Sequence, residues 1–125
     1  LLLGVAEWES EKGGIKDIFI PAGDPNTVIA TADKKIMFFN SKTGKFKNEI
    51  KIKEKNIISF LIPDGYNGDP LLLSSDNKIF RLEKSKTLKA AGYAGSAPVI
   101  SSAAAGKNEL LILNSDGQLF KTTLK

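Results

Sequence analysis

The sequence predicts an all-β fold: about three tandem four-stranded β-propeller blades, forming an incomplete or assembled propeller. One pattern is written three times, as VIATADKKIMF over 28–38, LLLSSDNKIFR over 71–81 and LILNSDGQLFK over 111–121. Its anchors Asp33, Asp76 and Asp116 stand 43 and 40 residues apart, within the ~40–45 residues that one propeller blade occupies. Between the anchors, short apolar runs ended by Pro and Gly read as strands, not helices.

In 125 residues only three such periods fit, whereas a propeller ring closes with about four to eight blades. With Leu1 as its first residue, the chain is expected to be a piece of a longer one or one part of an assembled ring. The division read from the repeats is an N-terminal strand over 1–15, a first blade over 16–56, a second over 57–97 and an incomplete third over 98–125.

The opening run Leu1-Leu2-Leu3-Gly4-Val5-Ala6 reads either as the end of a signal peptide, with small residues before a cut, or as a short buried strand continuing into Trp8. Each blade then begins with an inner strand: Ile18-Phe19-Ile20 before Pro21, Phe60-Leu61-Ile62 before Pro63, and Val99-Ile100. These inner strands are expected to be buried. Second strands follow at Val28–Thr31, Leu71–Ser74 and Leu110–Leu113, each leading into a turn that carries the anchor Asp. Asp-Asn and Asp-Gly suit such hairpins because Asn and Gly tolerate positive φ; Asp33-Lys34 is a poorer version.

The third strands are read at Ile36–Phe39, Ile79–Leu82 and Leu119–Thr122. After the first comes Asn40-Ser41-Lys42-Thr43-Gly44-Lys45, where Gly44 is the expected positive-φ residue. An outer strand then alternates, with Phe46, Ile50 and Ile52 on one face and Lys45, Lys47, Glu49, Lys51, Lys53 and Lys55 on the other. Lysines on an outermost strand discourage edge-to-edge pairing; the competing reading is a docking face for an anionic polymer. The second outer strand is weaker, near Thr87–Ala91, and passes into a small-residue crossing over 90–97. The third copy stops before its fourth strand.

Composition narrows the chemistry. The formal charge is +4, from 18 basic and 14 acidic residues, and Arg81 is the only arginine. Nucleic-acid readers use arginine for bidentate and stacked contacts, so no nucleic-acid partner is expected. Cysteine and histidine are absent, which removes thiolate and imidazole metal sites, cysteine nucleophiles and histidine-based triads. No apolar run approaches the ~18 residues needed to span a bilayer.

Two propeller repeat families are similar to residues 16–125. Pro63-Asp64-Gly65-Tyr66-Asn67-Gly68-Asp69-Pro70-Leu71-Leu72-Leu73 resembles the calcium loop and following strand of the FG-GAP or VCBS type, seen in integrin α chains and many secreted bacterial proteins. Ala22-Gly23-Asp24 and Ala105-Gly106-Lys107-Asn108-Glu109 look like eroded versions. Phe39-Asn40-Ser41-Lys42-Thr43-Gly44-Lys45 and Ser96-Ala97-Pro98-Val99-Ile100 resemble instead the pyrroloquinoline-quinone-like repeat, although Asn48 falls where that family carries an outer-strand tryptophan. The resemblance implies an extracellular, periplasmic or cell-envelope location.

Calcium needs about six to eight converging oxygens. The loop offers Asp64, Asn67 and Asp69, which makes it a degenerate candidate and leaves ordinary turn capping as the default. No other cofactor is expected. The anchor aspartates recur once per blade, which fits side chains that accept turn amides and does not fit catalytic acids. Tyr66, read as exposed at a loop tip, and Tyr93, between glycines in the crossing, are candidate contacts for a protein or glycan ligand.

The expected function is therefore non-catalytic binding or scaffolding within a larger extracellular or cell-envelope propeller protein or complex. A segment of a secreted polysaccharide-active or quinone-dependent enzyme is the alternative. A protein-interaction propeller of the WD-repeat kind is a third reading, but no Gly-His or Trp-Asp pair marks any copy. Three blades should leave two open faces, lined by residues such as Val28, Leu72 and Ile112. Apolar patches of that size are not expected on a free monomer, so further blades, from copies of the chain or from another polypeptide, are the expected partners.

Overall fold

The structure, a computed structural model, describes residues 14–21, 23–52, 57–84 and 86–125. The strand expected through Leu2–Trp8 lies outside them. The described residues contain no helix, so none is long and apolar enough to cross a membrane. Among the described residues, eleven strands form three antiparallel meanders. Sheet 1 holds β1 (Ile15–Phe19), β2 (Thr27–Ala32), β3 (Lys35–Asn40) and β4 (Phe46–Lys51). Sheet 2 holds β5 (Ile57–Leu61), β6 (Leu71–Ser74), β7 (Lys78–Leu82) and β8 (Leu88–Tyr93). Sheet 3 holds β9 (Val99–Gly106), β10 (Glu109–Asn114) and β11 (Leu119–Thr123), and has no fourth strand among the described residues.

The repeat is backbone geometry as well as sequence. Every inner strand carries a bulge at one place, between Ile15 and Asp17, between Ile57 and Ser59, and opposite Leu113 and Asn114 in β9. In the turns after the second strands Lys34, Asn77 and Gly117 hold φ of 59°, 61° and 85°. Lys34 is the residue least suited to that region, where a Cβ crowds the following carbonyl. Gly44 sits at φ 72° as expected. Its loop is held by Asn40, whose side-chain oxygen accepts from the Lys42 and Thr43 amides at 2.9 and 3.0 Å.

Because strand side chains alternate, each sheet has two faces. Call forward the face turned to the next sheet. Cross-strand pairing puts Ile29, Thr31, Ile36 and Phe38 on the forward face of sheet 1. Leu71, Leu73, Ile79 and Arg81 occupy the same places in sheet 2, and Leu111, Leu113, Leu119 and Lys121 in sheet 3. The rear faces carry Val28, Ala30, Met37 and Phe39, then Leu72, Phe80 and Leu82, then Leu110, Ile112 and Phe120. Forward meets rear twice. Ile29, Ile36 and Phe38 pack on Leu72, Phe80 and Leu82; Leu71, Leu73 and Ile79 pack on Leu110 and Ile112, with Phe120 at the margin.

Four sequence expectations need correction. The inner strands are buried only in part: Phe60 and Leu61 are at 7% exposure, whereas Ile18, Ile20, Ile62 and Ile100 are 51–64% exposed, because the three sheets do not close a ring around them. Leu72 and Ile112 line no open face; both are fully buried inside the two interfaces. Val28, on the rear of sheet 1, is buried too, beside Ala30, Ala32, Met37 and Phe39. Finally, the outer strand of sheet 1 does not present one apolar face. A register shift against Phe38 and Phe39 turns Phe46 to the rear, where its ring meets Phe39 edge-on at 5.9 Å, while Ile50 packs forward with Ile52.

Candidate docking surfaces

The connection from β5 to β6 begins by joining another sheet. Asp64 forms an isolated parallel bridge with Ala103 of β9: its amide donates to the Ser102 carbonyl at 2.9 Å, and its own carbonyl accepts from Ala104 at 2.7 Å. The rest of the loop folds back on itself. Tyr66 is half-buried, correcting its reading as an exposed tip, and its hydroxyl donates to the Asp69 carbonyl at 2.7 Å. The loop can close this tightly only because residue 68 is glycine, since a Cβ there would lie 2.5 Å from the Tyr66 hydroxyl oxygen. Burial pushes the Tyr66 phenol up; Arg81 opposes this through a hydrogen bond and its charge, and Asp69 adds to the rise.

Of the three candidate calcium ligands, Asp64 and Asn67 have exposed side chains and Asp69 is half-buried. Among the described residues no group of three or more Asp, Glu, His or Cys side chains is placed to hold a metal ion. What the loop does border is a cleft of about 810 Å³ between sheets 1 and 2, with Phe19 and Leu61 on its walls and Tyr66, Asn67, Lys47 and Lys86 at its rim. Its rim cations are partly engaged: Lys47 Nζ donates to Thr27 Oγ1 at 2.8 Å, and Lys86 Nζ sits 5.0 Å from the centre of the Phe38 ring.

Tyr93 is the last residue of β8, not part of the crossing; it is 51% exposed. The outer strand runs two residues further than expected because Lys78 pairs with Tyr93 and Ile79 with Gly92. Tyr66 and Tyr93 are not brought together: Tyr66 lines the sheet 1–sheet 2 cleft and Tyr93 a shallow depression beside the crossing.

The anchor aspartates differ in how they serve their turns. Asp116 accepts from the Gln118 amide at 3.1 Å. Asp76 takes the Ser74 hydroxyl, with Lys78 3.7 Å away; the Ser74 hydroxyl, then the nearby Lys78 charge and turn amides, hold its carboxyl below the usual range. Asp33 makes no side-chain hydrogen bond with a described residue.

Two asparagines, Asn77, read from the sequence only as a turn residue, and Asn114, which the sequence reading passed over, hold the crossing between sheets 2 and 3. Asn77 Nδ2 donates to the Gly95 and Ala97 carbonyls at 2.8 and 2.5 Å. Asn114 Nδ2 donates to Ala94 and, from the other side, to the same Ala97 carbonyl, at 2.8 and 2.7 Å. Gly95, at φ 97°, lies so close that a Cβ would stand 2.7 Å from Asn114 Oδ1 and 2.8 Å from the Phe120 ring. The signal was present: in each copy a polar or small residue ends the second strand, and only the third has an amide there, opposite a crossing of small residues.

On the inner side Asp17 joins sheets 1 and 2, its carboxylate accepting from the Phe60 amide at 2.8 Å. Among the described residues, the forward face of sheet 3 is open. Leu119 is 67% and Leu111 38% exposed, with Leu113 half-buried beside them, and Lys121 pairs with Glu109 at 3.4 Å at the margin. Among the described residues one broad apolar face is therefore uncovered, that of sheet 3, while the rear of sheet 1 is exposed only at Ile18 and Phe46 on its flanking strands.

No protein-family model matches the sequence, and no curated protein is significantly similar to it. Solved structures do share the fold. A chain of the mitotic checkpoint complex aligns over 87% of this chain with a TM-score of 0.57 and 20% identity. BamB from Moraxella catarrhalis aligns over 86% with a TM-score of 0.53 and 16% identity. The chain spans about a third of the length of each, 36% and 33%. The computationally designed Ika4 protein aligns over 95% of this chain and 96% of its own length, with a TM-score of 0.56 and 12% identity. At these identities the likeness is one of architecture, and that architecture is the propeller type.

Proposed function

We propose that this chain is a non-catalytic binding and scaffolding module, part of a larger propeller protein or complex of the cell envelope or the extracellular space. The observation that carries the reading is the uncovered forward face of sheet 3, whose leucines occupy the places that are buried between blades elsewhere in the chain. A surface of that composition serves association. The candidate acids fit the same reading, since Asp76 and Asp116 are committed to their own turns. Location rests on the repeat resemblance alone. Of the two repeat families, the quinone-like type has the better support, because its Thr-Gly-Lys turn is formed with Gly44 at positive φ and Asn40 capping it.

Cross-linking of intact source cells through lysine, followed by mass spectrometry, tests this. Links from Lys107, Lys121 or Lys84 to one recurring envelope or secreted polypeptide are the expected result. Links confined to the chain itself, or to cytosolic proteins, overturn it. Turnover of a polysaccharide or a quinone-coupled dye that is lost on changing Asp64 or Asp69 would favour the enzymatic alternative.

A further inference from the structure

We infer that the forward face of sheet 3 is the seat of one particular kind of partner: the rear face of another four-stranded blade, presented by a polypeptide segment other than a second copy of this chain. The inference deepens the scaffolding reading and rests on it. It comes from the continuity of the two interfaces already formed. In both, the forward face supplies aliphatic side chains at fixed places on its second and third strands. The rear face answers with aliphatics from its second strand and a phenylalanine, Phe80 or Phe120, from its third. Leu111, Leu113 and Leu119 repeat Leu71, Leu73 and Ile79 place for place, and their cross-strand pairs match.

The polar edge is repeated as well. Lys121 stands where Arg81 does, and Arg81 donates across the interface to the main-chain oxygen of Lys125. The partner blade should offer Lys121 a main-chain carbonyl at that point. A second copy does not fill the role, because it has no rear face free across its centre. Those of sheets 2 and 3 are packed, and on the rear of sheet 1 the β2 and β3 residues are at 0–5% exposure, leaving only Ile18 and Phe46 exposed on the flanking strands. Two forward faces meeting would bring leucine to leucine with no aromatic from either side.

The register also says how a partner blade can be attached. With Leu111 and Lys121 paired in the places of Leu71 and Arg81, Lys125 stands two places beyond the equivalent of Glu83. The full chain is therefore lengthened after Lys125 by a second copy of residues 86–125, which supplies a fourth strand for sheet 3 and then a blade with its own rear face. The chain has no cysteine, so Leu119→Cys introduces a single thiol, read by its rate of reaction with a maleimide.

In the original chain that thiol should react as an exposed group. In the lengthened chain it should slow by about tenfold or more, since reaction then needs local opening. Ile112→Asp and Phe120→Asp in the appended copy should restore the fast rate. A lengthened chain that is folded by circular dichroism yet labels at the original rate overturns the inference, as does slow labelling indifferent to the appended substitutions. Sedimentation of the original chain gives a second test that does not need the lengthened one. A concentration-independent mass unchanged by Leu119→Glu supports the inference, and a homodimer abolished by Leu119→Glu refutes it in favour of a second copy. None of these results depends on where the chain resides or on what cross-links to it in cells, so failure here and failure of the scaffolding reading are told apart.

Discussion

Asn114 should be among the most sensitive polar positions in the chain, because one side chain there holds the crossing that sets sheet 3 against sheet 2. Asn114→Ala removes two hydrogen bonds, worth roughly 1 kcal/mol each, and strands the Ala94 carbonyl in a buried place. Removing Oδ1, itself buried and unpaired among the described residues, gives some of that back. The net loss is about 2 kcal/mol. With a urea slope of about 1–3 kcal/mol/M for a small protein, the unfolding midpoint should fall by about 1 M. Asn77→Gly keeps the positive φ without strain and should cost less alone, because Asn114 still satisfies Ala97. The double variant leaves the Ala97 carbonyl with neither donor, so its loss should exceed the sum of the singles by about 1 kcal/mol. Asn114→Ala within ~0.5 kcal/mol of the parent, or strict additivity of the pair, would refute the account.

The same denaturation assay reads three other changes. Gly95→Ala, with φ of 97° and a Cβ driven into Asn114 and Phe120, should cost about 2 kcal/mol or more. Gly44→Val and Gly117→Val, at φ of 72° and 85°, should each cost about 1 kcal/mol or more, and a neutral Gly44→Val would remove the hairpin placement. Thr31 is fully buried with a hydroxyl unpaired among the described residues, where sheets 2 and 3 carry Leu73 and Leu113; Thr31→Val should stabilise by about 1 kcal/mol, and destabilisation would mean that the hydroxyl has found a partner. Because the Asp76 carboxyl is held below its usual range, its contribution is present at pH above the unfolded value and is lost as pH falls through the lower folded value. The stability difference between the parent and Asp76→Asn should therefore be flat near neutrality and shrink in acid, whereas a difference that grows in acid contradicts the shift. Changing Lys45, Lys47, Lys51 and Lys53 together to Gln should raise aggregation and leave partner binding intact; weakened binding with flattened salt dependence would make that strand a docking face.

Much of the architecture was legible because propeller strands are written locally. The second and third strands fall within a residue or two of where apolar runs and turn residues placed them, and Gly44 and Gly117 adopt the conformations their turns demand. What the alternation rule could not supply was the outer strand of sheet 1. One extra residue at Lys47, opposite Phe38 and Phe39, sends Phe46 and Ile50 to different faces, and a strict period of two has no way to announce a bulge. The Asp64–Asp69 loop was less legible for another reason. The burial of Tyr66 depends on its fit over Gly68, and the bridge of Asp64 to Ala103 is a long-range pairing; the spacing of oxygens in the loop announces neither.

The exposed face of sheet 3 marks where local reading ends. Leu119 and Ile79 follow equivalent turns, pair with equivalent leucines and point in the same direction from their sheets. Ile79 is fully buried, while Leu119 is 67% exposed. Nothing in the eleven-residue pattern around either one separates them. In a tandem array each unit's burial is completed by its neighbour, so exposure at Leu119 reports that no blade covers it among the described residues, not a different local design. A substitution such as Leu119→Glu should accordingly cost this chain little in stability, where Ile79→Glu should unfold it, since it would leave a buried charge unpaired against Leu110 and Ile112. If thermal melts showed the two equally damaging, the forward face of sheet 3 would already be covered, and the case for an outside partner blade would fall with it.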